Sequence, residues 1–184
     1  MAKIGGNNEI ADLGMAMGCG TRDKYNPANL RYERIIIMTD ADVDGAHIAT
    51  LLMTFFFREM PGLVRDGRLY LAQPPLYRLA AGGTVAYARD DAHRMELMKS
   101  VFAGKSKVEV SRFKGLGEMN PMQLRETTMD VSRRSLIRVK LPEDADGRAD
   151  TADLVERLMG RNPEHRFHFI QSHATAIDAD AIDA

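Results

Sequence analysis

The segment from Ile35 to Ala72 narrows the fold more than any other, because it reads as strand, acidic turn, helix and strand in succession. Ile35 to Met38 is apolar without alternation, which predicts a strand covered on both faces, as in the middle of a parallel sheet. Further on, Ile48, Leu51, Leu52 and Phe55 recur at i, i+3, i+4 and i+7. That spacing predicts a buried helix, and Pro61 cannot lie inside it. The Asp66-Gly67 turn leads to a second apolar run, Leu69 to Ala72, which Pro74 and Pro75 end. Such a unit belongs to the α/β class, with two parallel strands joined by a right-handed crossover.

The flanking segments read as follows. Asn8 can cap a helix carrying Ile10, Leu13 and Met17, closed by Gly18 and Gly20. "LYRLAAGGTVAYA" predicts a hairpin turning at Gly82-Gly83, followed by a short helix from Asp91 to Val101. "KVEVSRF" alternates like a strand, and "NPMQL" offers Asn120, Pro121 and Gln123 in capping-box positions. "SLIRVKL" predicts another strand; Thr151 to Met159 and Pro163 to Ala174 predict two final helices. The closing residues "ATAIDADAIDA" are small and acidic, a composition that frays. No internal repeat is present.

Composition removes several function classes. In 184 residues, 45% are apolar, enough for one domain core with an appendage. The longest apolar stretch, Ile48 to Phe57, is about half a membrane-spanning helix and is interrupted by Thr50 and Thr54, so no membrane role is expected. The opening "MAKIGGNNEI" lacks the apolar core of a signal peptide. Cys19, the lone cysteine, can form no internal disulfide, which fits a reducing cytoplasm. With 25 Lys plus Arg against 26 Asp plus Glu, any nucleic-acid contact must come from local patches.

The acidic turn carries the chemistry. In "TDADVDGAHI", Asp40, Asp42 and Asp44 alternate with small or apolar residues, and Gly45 follows. An EF-hand begins this way, but its twelfth loop position is Leu51 instead of Glu, and a strand precedes the loop. Asp-x-Asp phosphohydrolases also place the pair behind an apolar strand, yet no later apolar strand with an acidic pair completes their site. Capping of the following helix needs one aspartate, not three. The remaining reading sets Asp40 and Asp42 at the carboxyl end of a parallel strand, projecting to one side toward a hard cation, with Asp44 adding charge or a water-mediated contact.

Two long stretches carry a family resemblance. "IIIMTDADVDGAHIATLLMTFFFREMPGLVRDGRLYLAQPPLYRL" and "RFKGLGEMNPMQLRETTMD" resemble the Toprim and tail regions of the B subunits of bacterial type IIA topoisomerases. The resemblance covers nearly the whole chain. It implies a Toprim fold, a Rossmann-like parallel sheet incomplete at its amino-terminal side, with a mixed α+β tail. The expected division is residues 1–110, a partial Toprim domain with a hairpin extension, and residues 111–184, the Lys-Gly-Leu-Gly-Glu segment and tail.

The resemblance also implies roles. Asp40, Asp42 and Asp44 match the acidic metal-binding positions for Mg²⁺, or Mn²⁺ in its place. His47, Arg112, Lys114, Gly115 and Gly117 match positions near the DNA backbone; Arg166 is a weaker candidate, and Glu118 belongs to the same motif. The implied partners are double-stranded DNA and an A subunit that carries the attacking tyrosine, in an A2B2 assembly. ATP would enter only through an ATPase domain that this sequence lacks. A glycine-flanked glutamate that completes the family's metal site is also missing, so the chain is expected to be a carboxyl-terminal piece beginning inside the Toprim domain and reaching the natural end. By itself it is expected to be inactive in DNA cleavage. The runner-up is a non-catalytic DNA-binding and subunit-assembly module, and an Asp-x-Asp phosphohydrolase is a distant third. Only Asp91 to Val110 separates "YARD" from the "SRFKGLGEM" motif, where many Gram-negative gyrases carry an insertion; the short interval favours the topoisomerase IV branch over gyrase.

Overall fold

The computed structural model describes residues 8–40 and 42–174. In chain order the elements are α1 (Asn8–Met17), β1 (Ile35–Ile37), α2 (Val43–Glu59), α3 (Pro61–Arg65), β2 (Leu69–Ala72), β3 (Tyr77–Ala81), β4 (Thr84–Ala88), α4 (Asp91–Lys99), β5 (Glu109–Arg112), α5 (Pro121–Leu124), β6 (Leu136–Arg138), α6 (Ala145–Met159) and α7 (Pro163–His173). The strands form two three-stranded sheets, ordered β1-β2-β6 and β4-β3-β5. Parallel and antiparallel pairing are mixed, and the fold is of the α/β class. None of the described helices is long and apolar enough to cross a membrane.

The chain separates into two compact units, each assembled from discontinuous segments. Among the described residues the first comprises 8–36, Thr50–Tyr70 and 138–174. Its core holds Met17, Cys19, Phe55, Phe56, Met60, Leu63, Val64 and Leu69. Gly18 and Gly20, at φ +74° and +71°, turn the chain out of α1. Pro61 opens α3, where its missing N–H costs nothing. α6 begins at Ala145 rather than Thr151, because the Asp144 carboxylate accepts the Gly147 N–H at 2.6 Å and caps an earlier turn. Asn162 caps α7 through the Glu164 N–H at 3.1 Å.

The second unit comprises Ile37–Ala49 and Leu71–Ile137. Its hairpin pairs Tyr77 with Ala88 and Ala81 with Thr84, and β5 pairs with the other edge of β3, Tyr77 opposite Arg112. Gly82 and Gly83 both take positive φ, as a two-residue turn matched to strand twist requires. α4 is capped by Asp90, which accepts the His93 N–H at 2.7 Å. Tyr77, Leu79, Ala88 and Phe102 form the core here, with Leu76, Leu97 and Val108 against it. The capping box at Asn120 and Gln123 forms in both directions, each bond at 2.9 Å. Beyond α5 the helix widens into a π turn, Arg125–Met129, in which the buried Thr127 and Thr128 hydroxyls donate to the Gln123 and Leu124 carbonyls.

Two expectations are corrected. β1 lies at the edge of its sheet among the described strands, not in the middle, and only Ile37 of its three residues is buried. An uninterrupted apolar run marks a strand, but it does not rank that strand within the sheet. In α2, Phe55 and Phe56 are buried while Ile48 and Leu51 are about half exposed, at 50% and 48%. The heptad-like repeat fixes the helix; how far along it the core reaches depends on what packs there. The acidic tail lies outside the described residues.

Candidate metal and DNA-backbone site

The acidic turn takes its shape from the start of α2. Asp42 stands just before Val43; its Oδ1 accepts the Gly45 N–H at 2.7 Å, and its carbonyl accepts the Ala46 N–H at 3.0 Å, so it is the helix N-cap. Asp44 falls in the first helical turn, where negative charge complements the helix dipole. Gly45 is buried, and a Cβ there would overlap the Asp40 carbonyl oxygen. The glycine after the third aspartate is therefore a steric requirement of the turn. His47 is exposed one turn into the helix.

A second loop meets this turn within the same unit. Phe113 and Met119 are buried on either side of it, and the Phe113 N–H donates to the Leu76 carbonyl at 2.8 Å. Between these anchors the Glu118 carboxylate accepts the Lys114 N–H at 2.7 Å, and Leu116–Glu118 form a short 3-10 turn. The Leu116 N–H donates to Asp40 Oδ1 at 2.7 Å, across a sequence separation of 76 residues. A Cβ on Gly115 would stand 3.0 to 3.2 Å from the atoms of the Asp40 carboxylate, whereas one on Gly117 would meet open space. Arg112, at the end of β5, and Lys114 are both exposed.

The sequence-derived set is thus only partly gathered. Asp40, Asp42, Gly115 and the Leu116 backbone belong to the two loops that meet; Lys114 and Arg112 flank them. Asp40, Asp42 and Asp44 do not converge as three ligands, and among the described residues no group of three or more His, Cys, Asp or Glu side chains could hold a metal ion. The helix begins immediately after Asp42, which turns that carboxylate to capping and carries Asp44 into the helix. Arg166 lies on α7, where its Nη1 donates to the Leu158 and Gly160 carbonyls at 3.2 and 2.9 Å and closes the end of α6. Sequence reasoning passed over Leu116, whose contribution is a backbone N–H that no side-chain pattern announces.

The donor chemistry fits a hydrated hard cation. Each of Asp40 and Asp42 gives one oxygen to a backbone N–H, and a carboxylate has further lone pairs beyond that bond. Mg²⁺ commonly takes one or two carboxylates and completes its shell with water and phosphate oxygens. The pair suits that mode; an all-protein cage is not present among the described residues.

Residues 7–74 match the model of the Toprim domain, and residues 105–171 match that of the carboxyl terminus of the DNA gyrase B subunit. The fold and the acidic turn therefore define a Toprim protein. Over 173 residues, 94% of the chain, it is 60% identical to the B subunit of DNA topoisomerase 4 from Bartonella bacilliformis, and over 178 residues, 97% of the chain, 60% identical to that of Caulobacter vibrioides. The B subunit of DNA gyrase from Thermotoga maritima is 50% identical over 172 residues, 93% of the chain. The chain belongs to the B-subunit family of bacterial type IIA topoisomerases and is more similar to these topoisomerase IV relatives than to that gyrase. It spans about a quarter of the length of the curated relatives it matches, 25 to 26%.

Proposed function

We propose that this chain forms the metal-holding, DNA-contacting portion of an ATP-dependent type II DNA topoisomerase. The observation that carries the reading is the bond from the Leu116 N–H to Asp40, which joins the two family-matched segments at a carboxylate of the acidic turn. Asp40 and Asp42 would hold Mg²⁺ or Mn²⁺, with Asp44 lending charge through the helix start. Bound there, the cation would stabilise negative charge developing on the scissile phosphate and the leaving oxygen. Lys114 and Arg112 would neutralise backbone phosphates, His47 would lie near them, and Gly115 and Gly117 would let the loop approach closely. Arg166, occupied at the end of α6, is left out of the contact set.

In the complete enzyme the partners would be duplex DNA and an A subunit with the attacking tyrosine, assembled as A2B2 in the cytoplasm, with ATP used by a separate domain. The dispersal of the three aspartates favours a second reading for the chain by itself, a DNA-binding and assembly module without catalysis. Mg²⁺ titration followed by amide NMR tests the first. Shifts centred on Asp40 to Gly45 and on Leu116 are expected, and their persistence in the Asp40→Ala, Asp42→Ala double variant would refute it.

A further inference from the structure

We infer that Gly115 and the Leu116 amide are positioning elements for Asp40: the loop fixes one carboxylate oxygen by a backbone N–H so that the other is presented to the cation. This rests on the metal role of Asp40 proposed above.

Three features of the loop support it. The Leu116 N–H to Oδ1 distance of 2.7 Å is that of a charge-assisted bond, which is directional as well as strong. Gly115 is extended, with φ at −163° and ψ at 174°, so no left-handed conformation demands glycine there. Space is tight instead: a Cβ would stand 3.0 Å from the Asp40 carboxyl carbon and 3.1 Å from Oδ1, so an alanine there would push the carboxylate by a few tenths of an ångström. The loop is also held independently of Asp40, by buried Phe113 and Met119 at its ends and by Glu118 closing on the Lys114 N–H. A donor anchored in this way can orient a carboxylate, where a mobile one would follow it. Partners of metal ligands that act in this way typically govern affinity by about 10–100-fold.

The loop geometry supplies its own test. Leu116 is the first residue of a 3-10 turn and follows an extended residue, and both conditions suit proline. Leu116→Pro therefore deletes the N–H with little change of backbone, and Leu116→Ala sets the baseline for loss of the side chain alone. Mn²⁺ affinity of the full chain is read from the EPR signal of free Mn²⁺. Leu116→Pro should bind about tenfold more weakly than Leu116→Ala, and Gly115→Ala should weaken binding in the same direction. Asp40→Asn keeps an acceptor for the amide and removes the charge, so it should abolish binding while the Leu116 amide remains protected from hydrogen exchange. Equal affinities for Leu116→Pro and Leu116→Ala, with Gly115→Ala matching the unsubstituted chain, would overturn the positioning role and leave Asp40 as a ligand. Undiminished Mn²⁺ affinity in Asp40→Asn would instead overturn the metal assignment, and the positioning role with it. Should Leu116→Pro fail to fold, Gly115→Ala alone decides, since its backbone conformation is open to alanine.

Discussion

Arg22 grips Glu59 with both arms of its guanidinium, Nε and Nη2 each donating to a carboxylate oxygen at 2.6 Å. The carboxylate is buried at the end of α2, while the arginine side chain is 52% exposed. Arg22 accepts a left-handed backbone, φ 49°, to reach it. Such a conformation is unfavourable for a residue with a Cβ, so the ion pair holds the chain in a strained turn. Arg22→Ala loses the fork and keeps the strain; Arg22→Gly loses the fork and relieves it. Both variants should melt below the unsubstituted chain, with Arg22→Gly the higher of the two by about 2–4 °C. Equal melting temperatures would show that the turn is unstrained.

Glycines at two positions should respond oppositely to alanine. At buried Gly62 a Cβ would overlap the ring of Tyr25, whose hydroxyl is itself enclosed without a hydrogen-bond partner among the described residues. Overpacking of this kind costs about 1–3 kcal/mol. Gly14 lies within α1 with none of the described residues near the position of its Cβ, so alanine there should stabilise by about 0.5–1 kcal/mol. Urea unfolding of the two variants reads both signs, and a stabilised Gly62→Ala would mean that Tyr25 yields freely.

Acid should loosen the chain at two carboxylates. Hydrogen bonds from the Gly147 N–H hold Asp144 below the usual carboxylate range, and those from the Ser132 hydroxyl and N–H do the same for Asp130. A depressed folded-state pKa contributes stability that is fully present above the ordinary aspartate value of about 3.9 and is lost as pH falls through the lower folded value. The Gly147 and Ser132 amide resonances should therefore move together with the loss of these bonds only below about pH 4. Asp144→Asn keeps a capping oxygen without a titrating group, so Gly147 should become insensitive to acid. An unchanged acid response of Gly147 in that variant would assign the effect elsewhere.

What could be read from the sequence is what local chemistry dictates. The Asn120 capping box, the Gly82-Gly83 turn and the breaks at Gly18 and Pro61 each rest on residues within a few positions of one another, and each is present. The edge position of β1 and the exposure of Ile48 and Leu51 depend on distant packing, which periodicity does not encode. The same divide runs through the site. Asp40 and Asp42 stand out in the sequence because their side chains do, but their separation in task follows from where α2 starts, and the Leu116 bond comes from a residue 76 positions away acting through its backbone.

DNA binding offers the sharpest distinction between residues that look alike in sequence. With a net charge of −1, the chain has no long-range attraction for duplex DNA, so binding should be weak and should depend on a few local contacts. Lys114 is the proposed contact: its backbone is pinned by Glu118 between two buried anchors, and its side chain is exposed. Arg166 carries the same charge but spends its guanidinium on the Leu158 and Gly160 carbonyls. In fluorescence-anisotropy titrations over a range of salt, Lys114→Ala should lower affinity and reduce the slope of log affinity against log salt by about one phosphate contact. Lys114→Arg should keep most of that slope. Arg166→Ala should instead leave the slope alone and lower the melting temperature, because it uncaps a helix. If Arg166→Ala flattens the salt dependence and Lys114→Ala does not, the contact surface lies on the terminal helices, and the loop beside Asp40 serves the carboxylate alone.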